Sequence, residues 1–134
     1  MDDCIFCKIV SGVAPAFKIY EDENFLSFLT IEPVSCGHSL VIPKQHFSTL
    51  SEMPEKYLDG YLRVVKKVCG ILQDKLKCPG ITIISAQERE GQQSVFHQHF
   101  HLTPRHSNDG LNLWFPENNS EIENLEQTHK RLTR

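Results

Sequence analysis

The sequence contains no run of apolar residues approaching the roughly 20 that a membrane-spanning helix needs. It begins Met1-Asp2-Asp3-Cys4, which is acidic where a secretory signal peptide is basic. We therefore expect no membrane partner and a cytoplasmic location. The five cysteines are an odd number, and in a reducing compartment they are not expected to build a disulfide framework.

An excess of positive charge is also missing. The 14 Lys and Arg residues are outnumbered by 17 Asp and Glu residues, and the net charge at pH 7 is −3. A surface for nucleic acid is therefore not indicated, and an anionic substrate must be bound by local hydrogen-bond donors. Internal repeats and linkers are absent too. The 134 residues suffice for a single domain, 1–134, with one hydrophobic core.

The order of the predicted elements is typical of an antiparallel α+β domain. Short apolar runs bounded by turn residues predict strands at 18–20, 24–30, 39–43, 80–86 and 95–103. A helical period of apolar residues predicts one long helix over 54–76, which ends at Pro79-Gly80. A second helix is predicted in the C-terminal tail, with Ser120 as its N-cap and Ile122, Leu125 and Leu132 in register.

The long predicted helix has an apolar surface broader than one face. Its main stripe is formed by Leu58, Leu62, Val65, Cys69, Leu72 and Leu76, and the stripe is widened by Tyr57, Tyr61, Val64 and Val68. Because a stripe this broad indicates a second packing partner, we expect a homodimer. This helix and the strand at 80–86 are the predicted contact surfaces.

Three histidines alternate with other residues in Phe96-His97-Gln98-His99-Phe100-His101-Leu102. Since successive side chains of a strand point to opposite faces, the three imidazoles are predicted to share one face. Imidazole can act near neutral pH as a ligand, a nucleophile or a proton donor. A polar surface strand or a cloning tag would also contain histidines, but this run is internal and has apolar neighbours. A functional site is therefore the favoured interpretation.

The segment Cys4-Ile5-Phe6-Cys7 has the spacing with which two thiolates hold one zinc ion. A closed zinc site needs two more ligands, and seven histidines are available. Two alternatives remain open. The thiols can be inert, or they can form a redox pair, although that motif is expected after a strand and at a helix start rather than so near the terminus.

The polar loop before the histidines is a candidate anion site. In Glu88-Arg89-Glu90-Gly91-Gln92-Gln93-Ser94, Gly91 permits an unusual backbone geometry. Backbone N–H groups and the Ser94 hydroxyl can then form a nest that faces the central histidine, although many such loops are only turns. A histidine that attacks phosphorus needs donors where charge develops in the transition state, and an acid for the leaving group.

Together these motifs resemble the histidine-triad (HIT) superfamily of nucleotidyl hydrolases and transferases. Gln93-Ser94-Val95, the three histidines and Pro104-Arg105 resemble its C-terminal signature, and Cys4-Ile5-Phe6-Cys7-Lys8-Ile9 resembles its opening. Gly37-His38-Ser39-Leu40-Val41-Ile42-Pro43-Lys44-Gln45-His46 resembles its G-H-x-L-V-I-P-K-x-H segment. The similarity is greatest to the Hint-like bacterial branch. It implies a homodimer with a five-stranded antiparallel sheet, one long helix and one C-terminal helix, acting on a purine nucleotide.

The resemblance also implies roles for individual residues. His99 would be the nucleophile that forms a covalent nucleotidyl-imidazole, and His101 and Ser94 would contact the phosphate or the leaving group. Structural zinc would be held by Cys4, Cys7, His46 and His97, which supplies the two missing ligands. The substrate would be bound by Ile5, Phe6, Phe28, Leu29, Thr30, Ile31, Gln92 and Gln93.

Three positions depart from the family pattern. Thr30 stands where the family usually has an aspartate that binds the ribose hydroxyls, Ala86 replaces an asparagine, and Gln92 replaces a loop glycine. Glu32 would share a strand face with Thr30 if the strand continues, and it is a candidate substitute for the aspartate. A neutral threonine lacks the charge-assisted hydrogen bonds of a carboxylate to a sugar diol, so we expect weak selectivity for ribose.

Three functional hypotheses follow. The first is a HIT-type enzyme that cleaves a nucleoside phosphoramidate, an acyl-nucleotide or a dinucleoside polyphosphate through a nucleotidyl-histidine. The second is a nucleotide-binding or scaffold protein with a weakened active site. The third is a metalloprotein whose three histidines bind one metal ion at an open site, which requires a metal at His99. The first hypothesis requires His99 to be free of metal.

Overall fold

The computed structural model describes residues 3–117 and 121–134. Its helices are α1 (Ile5–Val10), α2 (Leu58–Leu76) and α3 (Leu125–Leu132), and its strands are β1 (Lys18–Glu21), β2 (Phe25–Leu29), β3 (Ser39–Pro43), β4 (Gly80–Ile84) and β5 (Phe100–Arg105). The predicted α+β class, with five strands, one long helix and one C-terminal helix, is confirmed. None of the helices in residues 3–117 and 121–134 combines the length and the apolar character of a membrane span.

The five strands form one antiparallel sheet in the order β1-β2-β3-β5-β4. β5 comes last in the sequence but pairs with β3 on one side and β4 on the other. His101 therefore lies in the middle of the sheet, opposite Leu40 of β3 and Ile84 of β4. The histidine segment is brought beside the two ends of β3, where His38 and His46 are found.

Both faces of the sheet are covered. Val41 and Leu102 pack under α2 on one face, while Leu40 and Ile42 pack with Phe6 of α1 on the other. This division follows from the alternation of side chains along β3. Each buried large apolar side chain contributes roughly 1.5–3 kcal/mol to stability, so both helices are held mainly by these contacts.

The face of α2 that packs on the sheet differs from the prediction. Tyr61, Val64 and Val68, predicted to widen the stripe toward a second surface, are buried in the core. Leu62, predicted as a core residue, has 59 % of its surface exposed. The buried residues follow a three- and four-residue repeat that begins at Tyr61, and a side chain one position further on is turned about 100° away. The helix also begins at Leu58, after a short 3₁₀ turn at Glu55–Tyr57, rather than at Pro54.

The structure contains a short helix, α1, that the sequence did not predict. With only six residues it is too short for an apolar period to be recognised. Its N-cap is Cys4, whose Sγ accepts a hydrogen bond from the Cys7 backbone N–H at 3.4 Å. The first motif of the sequence therefore forms a helix start.

Other element boundaries also differ from the prediction, and β4 ends at Ile84 rather than at residue 86. β5 begins at Phe100, so His97 and His99 precede the strand instead of lying within it. β2 ends at Leu29, so Thr30 and Glu32 lie beyond the strand and do not share a strand face as predicted. α3 begins at Leu125, with the Asn124 side chain as its N-cap. The predicted cap, Ser120, lies outside the described residues, and the described residues 121–124 are not helical.

Candidate active site and metal centre

The three histidine side chains share the α1 side of the sheet, as the alternation predicted. The ring of Phe6 in α1 meets the rings of His97 and His99 edge to face, at centroid distances of 5.7 and 5.2 Å. The His101 ring follows at 4.9 Å from the ring of His99. Gln98 points to the opposite side, where its amide contacts the Tyr61 hydroxyl of α2 at 3.4 Å. The side chains therefore already alternate between the two faces at residues 97–99, before the hydrogen-bonded strand begins at Phe100.

Cys4, Cys7, His46 and His97 converge on one point. Their potential ligand atoms all lie within 4.8 Å of one another. Nδ1 of His97 is 3.4 Å from Sγ of Cys4, and Nδ1 of His46 is 3.3 Å from Sγ of Cys7. In a tetrahedral zinc site with bonds of about 2.0–2.3 Å, ligand atoms are separated by roughly 3.3–3.8 Å. The donor set and its spacing therefore fit a closed zinc site.

A backbone carbonyl orients the buried ligand His97. Its Nε2 lies 2.7 Å from the carbonyl oxygen of Pro43. Because a carbonyl can only accept, the proton is on Nε2, and the lone pair of Nδ1 points toward the two thiols. Burial lowers the pKa of His97 to about 4, which keeps the ring in the neutral form that binds metal.

The redox alternative for the two cysteines is weaker in the structure than the metal alternative. Cys4 and Cys7 do stand at a helix start, as a redox pair would. Burial, together with the neighbouring Cys4 thiol, raises the pKa of Cys7 to about 11. A redox thiol needs a lowered pKa, and the two imidazoles beside the thiols are the ligands that a zinc site requires.

His99 is held in one tautomer. Its Nδ1 lies 2.8 Å from the carbonyl oxygen of His97 and must donate the hydrogen bond. The lone pair is therefore on Nε2. The residue is only 8 % exposed, and burial lowers the pKa of His99, so the neutral ring is favoured. A neutral imidazole with an available Nε2 is a nucleophile.

His101 is oriented by His38, which was not among the predicted site residues. The backbone N–H of Val34 donates to Nδ1 of His38 at 3.2 Å, so the proton of His38 is on Nε2. Nε2 of His38 then donates to Nδ1 of His101 at 3.0 Å. In the neutral state, His101 therefore presents an N–H at Nε2. The only sequence signal for His38 was its place in the segment that resembles the family.

The hypothesis of a three-histidine metal site is contradicted by this arrangement. Nδ1 of His97 faces the thiols, Nδ1 of His99 faces a carbonyl and Nδ1 of His101 faces His38. In the part of the chain that the structure describes, the one group of three or more candidate metal ligands is the Cys4 group.

A chain of polar contacts holds the backbone carbonyl of His99. The Ser85 hydroxyl donates to the backbone carbonyl of His99 at 2.9 Å, and the Gln98 amide donates to the Ser85 hydroxyl at 2.9 Å. Sequence reasoning did not assign a role to either residue. Neither carries a local signal, because the partners lie 13 and 14 positions apart along the chain.

The residues predicted to bind the nucleoside are placed in two groups. Phe6 and Phe28 are buried with their rings 5.5 Å apart, and Phe6 lies against His99. Ile5, Leu29 and Ile31 are exposed, Ile31 to 92 %. Thr30 is half-buried, and its hydroxyl oxygen accepts the Glu32 backbone N–H at 3.3 Å. If a nucleobase binds here, the aromatic rings of Phe6 and Phe28 would form the floor of its pocket. The exposed aliphatic side chains would form the rim.

The predicted anion loop is strained at two positions. Glu88 and Gln92 have positive φ angles of 66° and 73°. Gly91, predicted to permit an unusual backbone geometry, does not have a positive φ. Its hydrogen is required because a Cβ there would collide with the backbone carbonyl of Gln87. Ser94 is exposed, and its hydroxyl makes no hydrogen bond within the described residues.

These features define a class of protein: an antiparallel α+β fold that places a Cys₂His₂ ligand set beside an oriented pair of histidines. A family model described as HIT domain matches residues 11–108, and the chain belongs to the HIT family. The resemblance seen in the motifs is thereby confirmed. The matched range begins after both cysteines of the ligand set.

Two curated relatives cover most of the chain. A HIT-like protein of Borreliella burgdorferi is 45 % identical over 83 % of this chain and 81 % of its own length. Adenosine 5'-monophosphoramidase HNT1 of Candida albicans is 37 % identical, over 96 % of this chain and 88 % of its own.

Solved structures show the same fold. A protein from Streptococcus mutans has a TM-score of 0.88 and 38 % identity, covering 98 % of this chain and 84 % of that one. A zinc-bound histidine triad family protein of Mycobacterium smegmatis has a TM-score of 0.79 and 41 % identity, covering 84 % of this chain and 81 % of that one.

Proposed function

We propose that this protein is a HIT-type nucleotidyl hydrolase that cleaves the bond between the α-phosphorus of a purine nucleotide and a leaving group, with a nucleoside phosphoramidate as the first candidate substrate. The observation that carries the proposal is the tautomer of His99. Its Nδ1–H is held by a carbonyl, so Nε2 is the attacking atom. The Candida albicans relative is named as an adenosine 5'-monophosphoramidase, which supports this substrate class.

In the first step, Nε2 of His99 attacks the α-phosphorus, and the bond from phosphorus to the leaving nitrogen breaks. The imidazole gains positive charge, which the carbonyl of His97 stabilises through the Nδ1–H bond. The amine must leave as a neutral molecule, so one proton has to reach its nitrogen. The substrate nitrogen takes this proton from solvent before the attack. We expect the Nε2–H of His101 to donate a hydrogen bond to the phosphate, and Ser94 to donate to the phosphate or the leaving group.

In the second step, water attacks the phosphorus of the nucleotidyl-histidine, and the bond from phosphorus to Nε2 of His99 breaks. One of the two protons of the water stays on the product phosphate and the other passes to solvent, while the Nε2–H of His101 donates a hydrogen bond to a phosphate oxygen. The products are the nucleoside monophosphate and the free amine. His99 returns to its starting tautomer because the His97 carbonyl still holds Nδ1–H.

Structural zinc is the second part of the proposal. Cys4, Cys7, His46 and His97 would hold the ion, and the bound ion would supply a rigid link among three separate chain segments. His97 thus contacts both the predicted metal centre and the proposed nucleophile. Its side chain belongs to the ligand set, while its backbone carbonyl holds His99.

The test is intact-protein mass spectrometry after rapid mixing with adenosine 5'-phosphoramidate. We expect a transient adduct of one adenylyl mass in the unmodified protein. His99→Ala should form no adduct and should lose turnover, while its fold and zinc content are retained. The matched control is His129→Ala, because His129 is exposed on α3. Near-normal hydrolysis by His99→Ala would refute the role of His99 as nucleophile.

The second candidate function is nucleotide binding with a weakened active site. Thr30 and Ala86 favour it, since both replace groups that would hydrogen-bond the substrate in the family pattern. A protein that binds adenosine monophosphate but forms no adduct and releases no amine would support this alternative against the enzyme.

A further inference from the structure

Gln93 is a buried residue of the loop 87–94 and is only 5 % exposed. Its side-chain Nε2 lies 2.6 Å from the carbonyl oxygen of Ser48 and 3.0 Å from that of Val95. Its Oε1 accepts the backbone N–H of Glu88 at 2.8 Å. These three bonds tie the start and the end of the loop to a separate segment of the chain.

The partners determine which way the Gln93 amide points. Two carbonyl oxygens can only accept and the N–H of Glu88 can only donate, so the amide cannot be flipped. Both hydrogens of Nε2 are used by the carbonyls of Ser48 and Val95. No side-chain N–H of Gln93 remains for a phosphate oxygen. A direct contact from this amide to an anionic substrate is therefore disfavoured.

The loop needs such a restraint because it contains backbone strain. Glu88 and Gln92 both adopt positive φ, which is unfavourable for a residue other than glycine. Glu88 is held twice, since its N–H donates to the Gln93 side chain and its carbonyl accepts the Gln93 backbone N–H at 3.0 Å. Without the Gln93 side chain, relaxation of Glu88 and Gln92 would move the residue that follows, Ser94.

The same segment that binds Gln93 also positions the histidines. The carbonyl of Phe47 accepts the backbone N–H of Gln98 at 2.7 Å, and Gln98 lies between His97 and His99. The next carbonyl, that of Ser48, accepts from Gln93. Two consecutive carbonyls therefore set the relative position of the anion loop and the histidine segment.

We propose that Gln93 is a positioning residue that holds the loop 87–94 in register with His99 and does not itself bind substrate. The inference rests on the proposed function, because register matters only if the loop and His99 act on one phosphate. Ser94 is then placed through Gln93. Misplacement of a positioned donor by about 1 Å can cost up to about a hundredfold in rate.

The test compares Gln93→Met and Gln93→Glu with the control Gln127→Glu. Methionine keeps the length of the side chain and removes all three hydrogen bonds. Glutamate keeps an acceptor for Glu88 but places its second oxygen against two carbonyls. Gln127 is exposed on α3, and its side chain makes no hydrogen bond within the described residues. The readouts are amide hydrogen exchange of Glu88, kcat and KM for adenosine 5'-phosphoramidate, and melting temperature.

We expect exchange at Glu88 to rise at least about tenfold in Gln93→Met, and kcat to fall by about tenfold or more in both variants, with KM nearly unchanged. Gln127→Glu should match the unmodified protein in every readout. Two results would overturn the proposal: faster exchange with unchanged kcat, or unchanged exchange with a large rise in KM, which would mean direct substrate contact.

If the unmodified protein does not turn over, the proposed function fails. The affinity for adenosine monophosphate and the exchange at Glu88 then test whether the Gln93 hydrogen bonds order the anion loop. Faster exchange with weaker binding in the Gln93 variants supports this role, and faster exchange with unchanged binding overturns it.

Discussion

A single opposing atom sets the protonation site of each of His97, His99 and His101. Carbonyls of Pro43 and His97 receive the N–H groups of His97 and His99, and His38 donates to His101. Three rings of the same chemical type therefore present three different atoms to the site. The lone pair of His97 lies on Nδ1, beside the thiols, and the lone pair of His99 lies on Nε2, the atom of the proposed attack. His101 presents an N–H at Nε2, which can donate to a phosphate oxygen.

Acid should destabilise the protein through His101. Burial and the neighbouring rings of His99 and His38 lower the pKa of His101 to about 4, whereas an unfolded histidine has a pKa of about 6.5. Between these values the unfolded chain binds more protons, so the free energy of unfolding falls as the pH falls from about 6.5 to about 4. Replacement by asparagine, which keeps an acceptor for His38, should reduce this slope.

The measurement is urea unfolding of the unmodified protein and His101→Asn at several pH values between 7 and 4.5. The ligand set of Cys4 is present in both, so the difference between them reports His101. His129→Asn, at an exposed position, should leave the slope as it is. Equal slopes in His101→Asn and the unmodified protein would contradict the prediction.

Selectivity for the sugar should be weak because of Thr30. Its hydroxyl oxygen already accepts the Glu32 backbone N–H, and it has no charge to offer a diol. A site without such partners rejects an analogue lacking a hydroxyl only weakly. We expect ribo- and 2′-deoxyribonucleoside phosphoramidates to be hydrolysed at rates within roughly tenfold, about 1.4 kcal/mol.

Thr30→Asp should increase the preference for ribose, while Ser107→Asp, in an exposed turn, should not change it. Rates for the two sugars, measured side by side, test both statements. A ribose preference of about a hundredfold in the unmodified protein, near 2.7 kcal/mol, would contradict them. Glu32 would then be the first residue to substitute, although it lies outside β2.

At the scale of elements, the Cys₂His₂ set joins the start of α1 to the segments after β3 and before β5. α1 has only six residues and is held otherwise by Phe6 and Ile9 against the sheet. A helix this short is not stable by itself, so a bound metal would add a second attachment to these apolar contacts. The metal is therefore expected to matter more for stability than for chemistry.

We expect one zinc ion per chain in the purified protein. Cys4→Ser and His46→Ala should release it and lower the melting temperature by about 5 °C or more, with a smaller effect on kcat. The control is Cys36→Ser, since Cys36 is exposed and outside the ligand set. Metal analysis and thermal unfolding decide the matter, and a gently purified sample without zinc would count against the expectation.

At the scale of the whole molecule, the apolar surface beside β4 favours a second copy of the chain. β4 is an edge of the described sheet. Ile83 is 49 % exposed and pairs with Leu102, whose side chain packs under α2, so Ile83 lies on the α2 face. Leu62 of α2 is exposed as well. An unpaired strand edge beside exposed apolar side chains is a typical pairing surface.

We therefore predict a homodimer through α2 and β4. Sedimentation at micromolar concentration should give twice the chain mass of 15.4 kDa. Combining Leu62→Glu with Ile83→Lys should yield monomers, and Val13→Lys, at an exposed position before β1, should leave the dimer intact. A 15.4 kDa species alone in the unmodified protein would refute the prediction.

The element types and the chemistry of the motifs were predictable because they depend on neighbours in the chain. Alternation along the backbone places His97, His99 and His101 on one side even though β5 begins only at Phe100. The five strands and the long helix follow from local apolar periods, and the spacing of Cys4 and Cys7 indicates a metal pair. The face of α2 was not predictable, because Leu62 and Tyr61 are both apolar and only packing selects between them.

The sequence by itself therefore determined which residues can ligate, attack or donate, and that they form an α+β sheet protein. Only the tertiary structure decided how the rings are oriented and which of them meet. The acceptor for His97 is Pro43, 54 positions away, and the donor to His101 is His38, 63 positions away. Such partners are set by strand order and register, which no local period of the sequence encodes.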